Sequence, residues 1–138
     1  MIMPKFNELI GTVVKSSDQV LHQDFIERFA AASFDEDNTN LKYAALASLG
    51  DFEAALNAVR LNAKNILHTR ETISVFEEPV LEKVITVKTT IKDLYEQQAG
   101  DKPIAFIVID VSGTSSGKVL FQTERIWAVA GGFSRGAA

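Results

Sequence analysis

Residues Pro103–Trp127 read PIAFIVIDVSGTSSGKVLFQTERIW, and this stretch decides how the rest of the chain is interpreted. Ile104–Val111 is apolar at every position except Asp110, which predicts a strand buried on both faces. Gly113–Gly117 contains only residues typical of turns. The segment after it, Lys118–Ala130, predicts a second strand with one side formed by Val119, Phe121, Arg125, Trp127 and Val129. The stretch therefore predicts a β-hairpin.

Two further strands are predicted upstream of this hairpin. Thr69–Phe76 alternates between two sets of side chains and ends before Pro79, and Val84–Tyr95 alternates in the same way. In the second of these segments the alternation assigns Asp93 to the face that also carries Ile85, Val87, Ile91 and Tyr95.

The residues before the strands show helical spacing of apolar side chains. The spacing predicts a helix over about Pro4–Ser16, a second helical stretch from Leu21 that includes Phe25 and Phe29, and a third helix over Phe52–Ile66. The first two are either separate helices or one kinked helix. An acidic loop at residues 35–40 precedes the segment Leu41–Leu49, which fits a short strand or a helical turn.

This order predicts a single α+β domain spanning residues 1–138. The helical half covers residues 5–67, the sheet half covers residues 68–130, and residues 131–138 form a loose tail. We expect the N-terminal helices to pack on one face of a curved antiparallel sheet.

The strand Ile104–Val111 requires cover on both of its faces, and the helices cover only one. An exposed apolar face of that size is uncommon on monomers. We therefore expect a homodimer joined through the outer face of the sheet, with Ile or Val side chains of this strand at the contact.

Composition excludes several classes of protein. The 138 residues carry a net charge of −4 with no cysteine, and the sequence pI is ≈ 5.2. This balance argues against a nucleic-acid-binding protein, and the missing cysteines exclude disulfides and thiolate metal sites. No apolar run has the length of a membrane span, and the N-terminal residues do not resemble a signal peptide. We expect a cytoplasmic protein with no nucleic-acid or membrane partner.

No motif for a metal or a cofactor stands out. Gly113–Lys118 resembles a phosphate-binding loop, but three residues separate its glycines where four are needed, and Val119 follows the lysine. A hairpin turn fits better. Neither His22 nor His68 has a partner at metal-ligand spacing. We expect no metal and no cofactor.

Three residues are the strongest candidates for chemistry. Asp110 follows an apolar run, so it is either a desolvated acid or the cap of the following turn. His68 is either a cation at the end of the third helix or a general base at the rim of a pocket. Arg125 lies on an apolar stripe and requires a carboxylate, which Asp110 or Glu71 supplies. A structural ion pair is the favoured role for Arg125.

The order of elements, and above all Pro103–Trp127 with its apolar strand, Asp110 and Gly–Lys turn, resembles the nuclear-transport-factor-two-like superfamily. That superfamily includes ketosteroid isomerase, scytalone dehydratase and SnoaL-like polyketide cyclases. The resemblance implies a cone-shaped sheet around a small-molecule pocket, often dimeric. It implies that Asp110 occupies the position of the acid in the isomerase oxyanion hole. It also implies that His68 and Asp110 correspond to the His–Asp pair of the dehydratase and cyclase branches. The isomerase base has no match in Asn40–Tyr43, and the isomerase tyrosine has none near Val13 and Val14.

Two classes of function stay open. One is a cofactor-independent enzyme that isomerises, cyclises or dehydrates a small, largely apolar molecule, with Asp110 and His68 as catalytic residues. The other is a non-catalytic module that binds a ligand or assembles with a partner. In either case the expected binding residues are Arg125, Trp127, Asp93, Tyr43, Phe106, Phe52 and Phe29.

Overall fold

The computed structural model of the chain describes residues 6–24, 49–77 and 82–133. In chain order these residues form α1 (Phe6–Leu9), β1 (Thr12–Val20), α2 (Phe52–Val59), a 3₁₀ turn (Ala63–Asn65), β2 (Ile66–Val75), β3 (Val84–Ala99), β4 (Lys102–Ser115) and β5 (Lys118–Ala130). The five strands form one sheet in the order β1-β3-β4-β5-β2, and every neighbouring pair is antiparallel.

The predicted α+β architecture, with N-terminal helices on a cone-shaped sheet, is wrong. Residues Thr12–Val20 form an edge strand within the segment that was predicted as helical. The β-branched run Thr12-Val13-Val14 favours extended backbone, and Gly11 at φ +86° ends the single turn of α1. The predicted second helix from Leu21 lies mostly outside the described residues, as do Phe29 and Tyr43.

The third predicted helix is shorter than expected. It begins at Phe52 and ends at Val59, because Arg60 adopts the left-handed conformation and closes the helix. Asp51 caps the start: its Oδ1 accepts a hydrogen bond from the Ala54 N–H at 2.9 Å. The chain then reaches β2 through the 3₁₀ turn, so β2 begins at Ile66, within the segment predicted to be helical.

The predicted hairpin of β4 and β5 is confirmed. Ser115 pairs with Lys118, and the two residues between them, Ser116 and Gly117, both have positive φ. This is the conformation of a type I′ turn, whose twist matches that of the strands. Of the segment Gly113–Gly117 that was predicted to be the turn, only Ser116 and Gly117 form it, because Gly113–Ser115 belong to β4.

One face of the sheet, called the inner face here, packs against α2. In β4 the inner-face residues are fully buried, namely Ala105, Ile107, Ile109 and Val111. They pack with Ala55 and Val59 of α2 in one continuous core. The opposite, outer face carries Phe106, Val108 and Asp110, and Val108 lies outside that core. Ile107 and Ile109 therefore stabilise the fold. The Ile and Val side chains that β4 presents on the outer face are Ile104 and Val108, and Val108 is only 7% exposed.

Candidate functional site

The start of α2 is attached to the sheet by a buried hydroxyl group. The Asp51 N–H donates a hydrogen bond to Thr89 Oγ1 at 2.9 Å, and Thr89 of β3 is only 1% exposed. This bond places Phe52, the first residue of α2, over the inner face of β5. The Phe52 ring lies 6.0 Å from the Trp127 ring, at an interplanar angle of 60°.

Arg125 of β5 lies between this aromatic pair and β2. Its Cζ lies 3.6 Å from the centroid of the Phe52 ring, a cation–π contact. Its Nη2 and Nε donate hydrogen bonds to Glu71 Oε1 at 2.9 and 3.2 Å. Glu71 and Arg125 are directly opposite each other in the register of β2 and β5. Asp110 and Glu71 were the two predicted partners for Arg125, and in the structure Arg125 pairs with Glu71.

His68 completes the group. Its Nε2 lies 3.9 Å from Glu71 Oε2, the oxygen that Arg125 does not use. The imidazole is half exposed, whereas the Glu71 and Arg125 side chains are mostly buried. We call Phe52, His68, Glu71, Arg125 and Trp127 the inner-face cluster. It combines a half-exposed base, a carboxylate, a guanidinium group and two aromatic rings.

A β-bulge aims His68 into this cluster. The register of β2 shifts between His68 and Arg70, so Thr69 is the extra residue, and its hydroxyl donates a hydrogen bond to the Ile126 carbonyl at 3.0 Å. The bulge leaves His68 opposite Trp127 and Glu71 opposite Arg125, both on the inner face.

Asp110 lies on the opposite face of the sheet. Gln122 Nε2 donates a hydrogen bond to its Oδ1 at 2.9 Å. The expected pair of His68 and Asp110 is not formed, because β4 presents Asp110 on the outer face and the β2 bulge presents His68 on the inner face. Asp110 also forms no ion pair with Arg125, for the same reason.

Around Asp110 the outer face forms a shallow polar groove of ≈ 280 Å³. Lys92 Nζ lies 2.6 Å from Glu124 Oε2 at its edge. This hydrogen bond raises the pKa of Lys92 above its ordinary value of 10.5, and the charges of Glu124 and Asp110 add to the effect. Two hydrogen bonds join polar side chains of this groove, one from Gln122 to Asp110 and one from Lys92 to Glu124.

The remaining predicted site residues are divided between the faces. Asp93 lies on the outer face, and its assignment beside Ile91 is wrong, because a bulge at Lys92 shifts the alternation of β3. Phe106 also lies on the outer face, where its ring stacks on Tyr95 with centroids 5.1 Å apart. From the sequence, Glu71 was predicted only as a possible partner for Arg125. The register of β2 and β5 places Glu71 directly opposite Arg125, and this pairing adds it to the site.

Among the described residues, no three histidine or acidic side chains are grouped closely enough to hold a metal ion. None of the helices in the described ranges has the length and apolar character needed to cross a membrane.

No protein-family model matches this sequence, and a search of curated proteins found no match. Solved structures do match its fold. The ChsH1-ChsH2 complex from Mycobacterium tuberculosis superposes with a TM-score of 0.59 at 9% identity, over 85% of this chain and 83% of the other. The C-terminally truncated HadBC (3R-hydroxyacyl-ACP dehydratase) complex from the same organism gives 0.62 at 12% identity, over 87% and 96%.

A MaoC-like dehydratase from Rhodospirillum rubrum gives a TM-score of 0.54 at 15% identity, over 91% of this chain and 95% of the other. At these identities the likeness shows the fold alone, and that fold is hotdog-like: one antiparallel sheet against one helix. The predicted resemblance to the nuclear-transport-factor-two-like superfamily is therefore wrong. The isomerase and cyclase activities that this resemblance implied are wrong as well.

Proposed function

We propose that this chain is a cofactor-independent enzyme of the hydratase–dehydratase type, which adds water to, or removes it from, a small acyl substrate. The inner-face cluster carries the proposal: His68 is exposed to substrate on one side and lies beside Glu71, whose other oxygen is fixed by Arg125. A base oriented by a second group, itself held by a third, is a recurring arrangement in acid–base catalysis. The likeness of fold to solved dehydratases supports the same class of reaction.

The chemistry requires one group that both accepts and donates a proton. Removing water from a 3-hydroxyacyl thioester breaks the C2–H and C3–O bonds and forms the C2=C3 double bond. The base takes the C2 proton, and the leaving hydroxide takes a proton as it departs as water. No electrons leave the substrate, so the reaction balances without an oxidant or a reductant. Histidine suits both transfers because its ordinary ionisation lies near neutral pH.

In this proposal His68 is the catalytic residue and Glu71 and Arg125 are positioning residues. The distance of 3.9 Å between His68 Nε2 and Glu71 Oε2 exceeds a hydrogen bond. Catalytic hydrogen bonds are often long without substrate and shorten in the complex. Phe52 and Trp127 supply an apolar wall against which an acyl chain packs.

Hydration of a short trans-2-enoyl thioester tests the proposal directly, because loss of the conjugated enoyl absorbance reports the rate. We expect the wild-type chain to be active and His68→Gln to lower kcat by about 10²–10⁴-fold. His22→Gln is the matched control: His22 follows the end of β1, is paired with Glu82 and does not belong to the inner-face cluster. An inactive wild type, or a fully active His68→Gln variant, would refute the proposal.

The catalytic role predicted for Asp110 stays a prediction. Asp110 lies on the outer face, away from the inner-face cluster, and Asp110→Asn in the same assay separates the two candidates. A loss of activity as large as that of His68→Gln would move the proposed site to the outer face.

A second proposal concerns assembly. We propose that the chain forms a homodimer through the outer face of its sheet. Two matching structures are described as complexes, ChsH1-ChsH2 and HadBC, so this fold is known in assemblies. The observation that favours the outer face is its apolar half, where Tyr95, Phe106 and Leu67 are not covered by any described residue of the core. A non-catalytic assembly module is the function that stands if the hydration assay fails.

A further inference from the structure

Thr123 of β5 lies on the inner face, beside the inner-face cluster but outside it. It is two residues from Arg125, and the register places it opposite Ile73 of β2 and Val111 of β4. Thr123 is 0% exposed, and its Oγ1 has no hydrogen-bond partner in the described part of the chain. An unpaired hydroxyl group is therefore buried next to the proposed site.

A second buried threonine in the same cross-strand row shows what a paired hydroxyl group does here. Thr89 of β3 is also opposite Val111, and its Oγ1 accepts a hydrogen bond from the Asp51 N–H at 2.9 Å. That bond attaches the start of α2 to the sheet. The hydroxyl group of Thr123 makes no comparable bond to any described residue.

The unpaired hydroxyl group costs free energy of folding, because burial removes its hydrogen bonds to water and supplies none in return. Valine has the same branched shape and the same preference for strands, so it would fill this position without that cost. Unpaired buried polar groups are rare in folded proteins, and local violations of this kind are expected at functional sites. The hydroxyl group of Thr123 therefore requires a function other than stabilising the fold.

A buried water molecule explains this hydroxyl group poorly. Such a water needs about two to four polar partners. Ile73 and Val111 in the same row, and Phe121 two residues along β5, have apolar side chains. Arg125 is the polar neighbour on the other side, and its Nε and Nη2 already donate to Glu71. A ligand that carries its own oxygen fits the position better.

The separation of Thr123 and His68 sets the length of such a ligand. Thr123 is four residues from Trp127 along β5, and Trp127 is opposite His68. Four residues of a strand span about 13 Å. An extended chain advances about 3.5 Å for every three bonds, so about ten bonds separate a group at Thr123 from a group at His68.

Phe52 lies between these two ends. Its ring contacts two members of the inner-face cluster on one side. On the other side it approaches the row of Thr123, because an added Cβ on Gly50 would touch both Phe52 Cζ and Val111 Cγ2. The ring is only partly buried and makes no hydrogen bond, so it can move without leaving a polar group unpaired. An acyl tail that displaces it passes along the sheet from His68 to Thr123.

We propose that Thr123 is a substrate-binding residue, whose hydroxyl group hydrogen-bonds an oxygen on the tail of the acyl substrate. This inference rests on the proposed reaction at His68 and names its substrate class: an acyl thioester with a hydroxyl or carbonyl group about ten bonds from the reacting carbon. A threonine hydroxyl both donates and accepts, so either oxygen fits. A tail that ends in a methyl group leaves this hydroxyl unpaired in the complex and binds less well.

Matched substrates test the inference in the hydration assay. Two series of trans-2-enoyl thioesters of about eight to fourteen carbons differ only in whether the last carbon carries a hydroxyl group. For the wild type we expect kcat/KM to favour the hydroxyl tail by about tenfold at a length near about twelve carbons, mainly through KM. An entirely apolar channel would favour the methyl tail at every length.

Variants of Thr123 identify the group responsible. Thr123→Val keeps the shape of the side chain and is expected to abolish or reverse the preference for the hydroxyl tail. Thr123→Ser keeps the hydroxyl group and is expected to retain most of the preference. Thr72→Val is the matched control, because Thr72 of β2 is exposed on the outer face, and it is expected to behave as the wild type does.

Unfolding of the chain without substrate gives a readout that does not depend on activity. Thr123→Val is expected to raise the urea midpoint, because it removes a buried hydroxyl group that has no partner, whereas Thr72→Val is expected to change the midpoint little. A lower midpoint for Thr123→Val would show that the hydroxyl group has a partner within the chain, and this would overturn the inference.

The kinetic outcomes separate this inference from the proposed reaction. An active wild type that favours the hydroxyl tail at no length, or a preference that survives in Thr123→Val, would overturn the role of Thr123 and leave the reaction standing. A wild type that hydrates none of the thioesters, short or long, would refute the reaction and this inference with it.

Discussion

Arg125 binds Glu71 through one carboxylate oxygen only. Both guanidinium hydrogen bonds, at 2.9 and 3.2 Å, go to Oε1. The second oxygen is left on the side of His68. A pair that used both oxygens would place a guanidinium N–H on the oxygen that faces the imidazole, whereas here that oxygen has no bond from Arg125.

Glu71→Gln tests this geometry in the hydration assay. The glutamine carbonyl oxygen still accepts from Arg125, so the fold is retained, but the side-chain charge beside His68 is lost. We expect kcat to fall by about 10–100-fold with little change in KM, because orientation of the base matters most in the transition state. Glu124→Gln on the outer face is the control, and an equal effect there would contradict the assignment.

Arg125→Met is expected to destabilise the fold by about 1–3 kcal/mol, because it leaves the mostly buried Glu71 carboxylate without its donor. The partial exposure of both groups places the effect toward the lower end of that range. Arg125→Lys keeps the charge and is expected to cost less. Urea unfolding monitored through Trp127 measures both, and an unchanged midpoint for Arg125→Met would contradict the contact.

Gly113→Ala is expected to destabilise the chain by about 1–3 kcal/mol through overpacking. Gly113 of β4 lies opposite Phe121, whose ring covers it so closely that an added Cβ would overlap the ring. Phe121 is fully buried, so its ring can yield only by displacing other core side chains. Thermal unfolding checks the prediction, with Ser112→Ala on the outer face of the same strand as the control.

The connection between β1 and β3 is expected to weaken in acid. Glu82 accepts a hydrogen bond from the Gln23 N–H at 2.8 Å and lies 2.6 Å from His22 Nδ1. These two interactions, the backbone one first, lower the pKa of Glu82 below its ordinary value of 4.5. The unfolded chain then takes up this proton at a higher pH than the folded chain. The contribution to stability is present above about pH 4.5 and is lost as the pH falls through the lowered value.

Glu82→Gln removes this dependence. The variant is expected to be less stable than the wild type at neutral pH and to lose less stability below pH 4.5. Unfolding curves measured over a series of pH values test this. Parallel curves for the two proteins would show that Glu82 has no role in the acid response.

The sequence predicted the strands better than the helices, and the reason is local. β5 matches its predicted bounds, because turn residues flank Lys118–Ala130 at both ends. Its alternation is interrupted by a bulge at Leu120, so Val119 does not share the face of Phe121, Arg125 and Trp127 as predicted. β1 was missed because Phe6, Leu9, Ile10 and Val13 follow a helical spacing that spans the end of α1 and the start of a strand. Only pairing with β3 distinguishes the two states there.

The candidate site was predictable only in part. Arg125 and Trp127 were assigned to one face correctly, since β5 is regular there. Asp93 was assigned to the wrong face because Lys92 is an extra residue in the pairing of β3 with β4. Periodicity counts residues along one strand, and a bulge is a property of two strands, so this kind of error cannot be found from one segment alone.

The order of the strands has a consequence for how the molecule folds. β3, β4 and β5 follow one another in sequence and in the sheet, joined by two-residue turns, so their contacts close short loops. β1 and β2 are the two edge strands, and each pairs with a strand that is distant from it in sequence. Contacts between distant parts of a chain form slowly. Glu71 and His68 lie on the late strand, and Arg125 lies on the early one. We therefore expect the inner-face cluster to be completed late in folding, and fraying of β2 to separate His68 and Glu71 from Arg125 while β3, β4 and β5 stay paired.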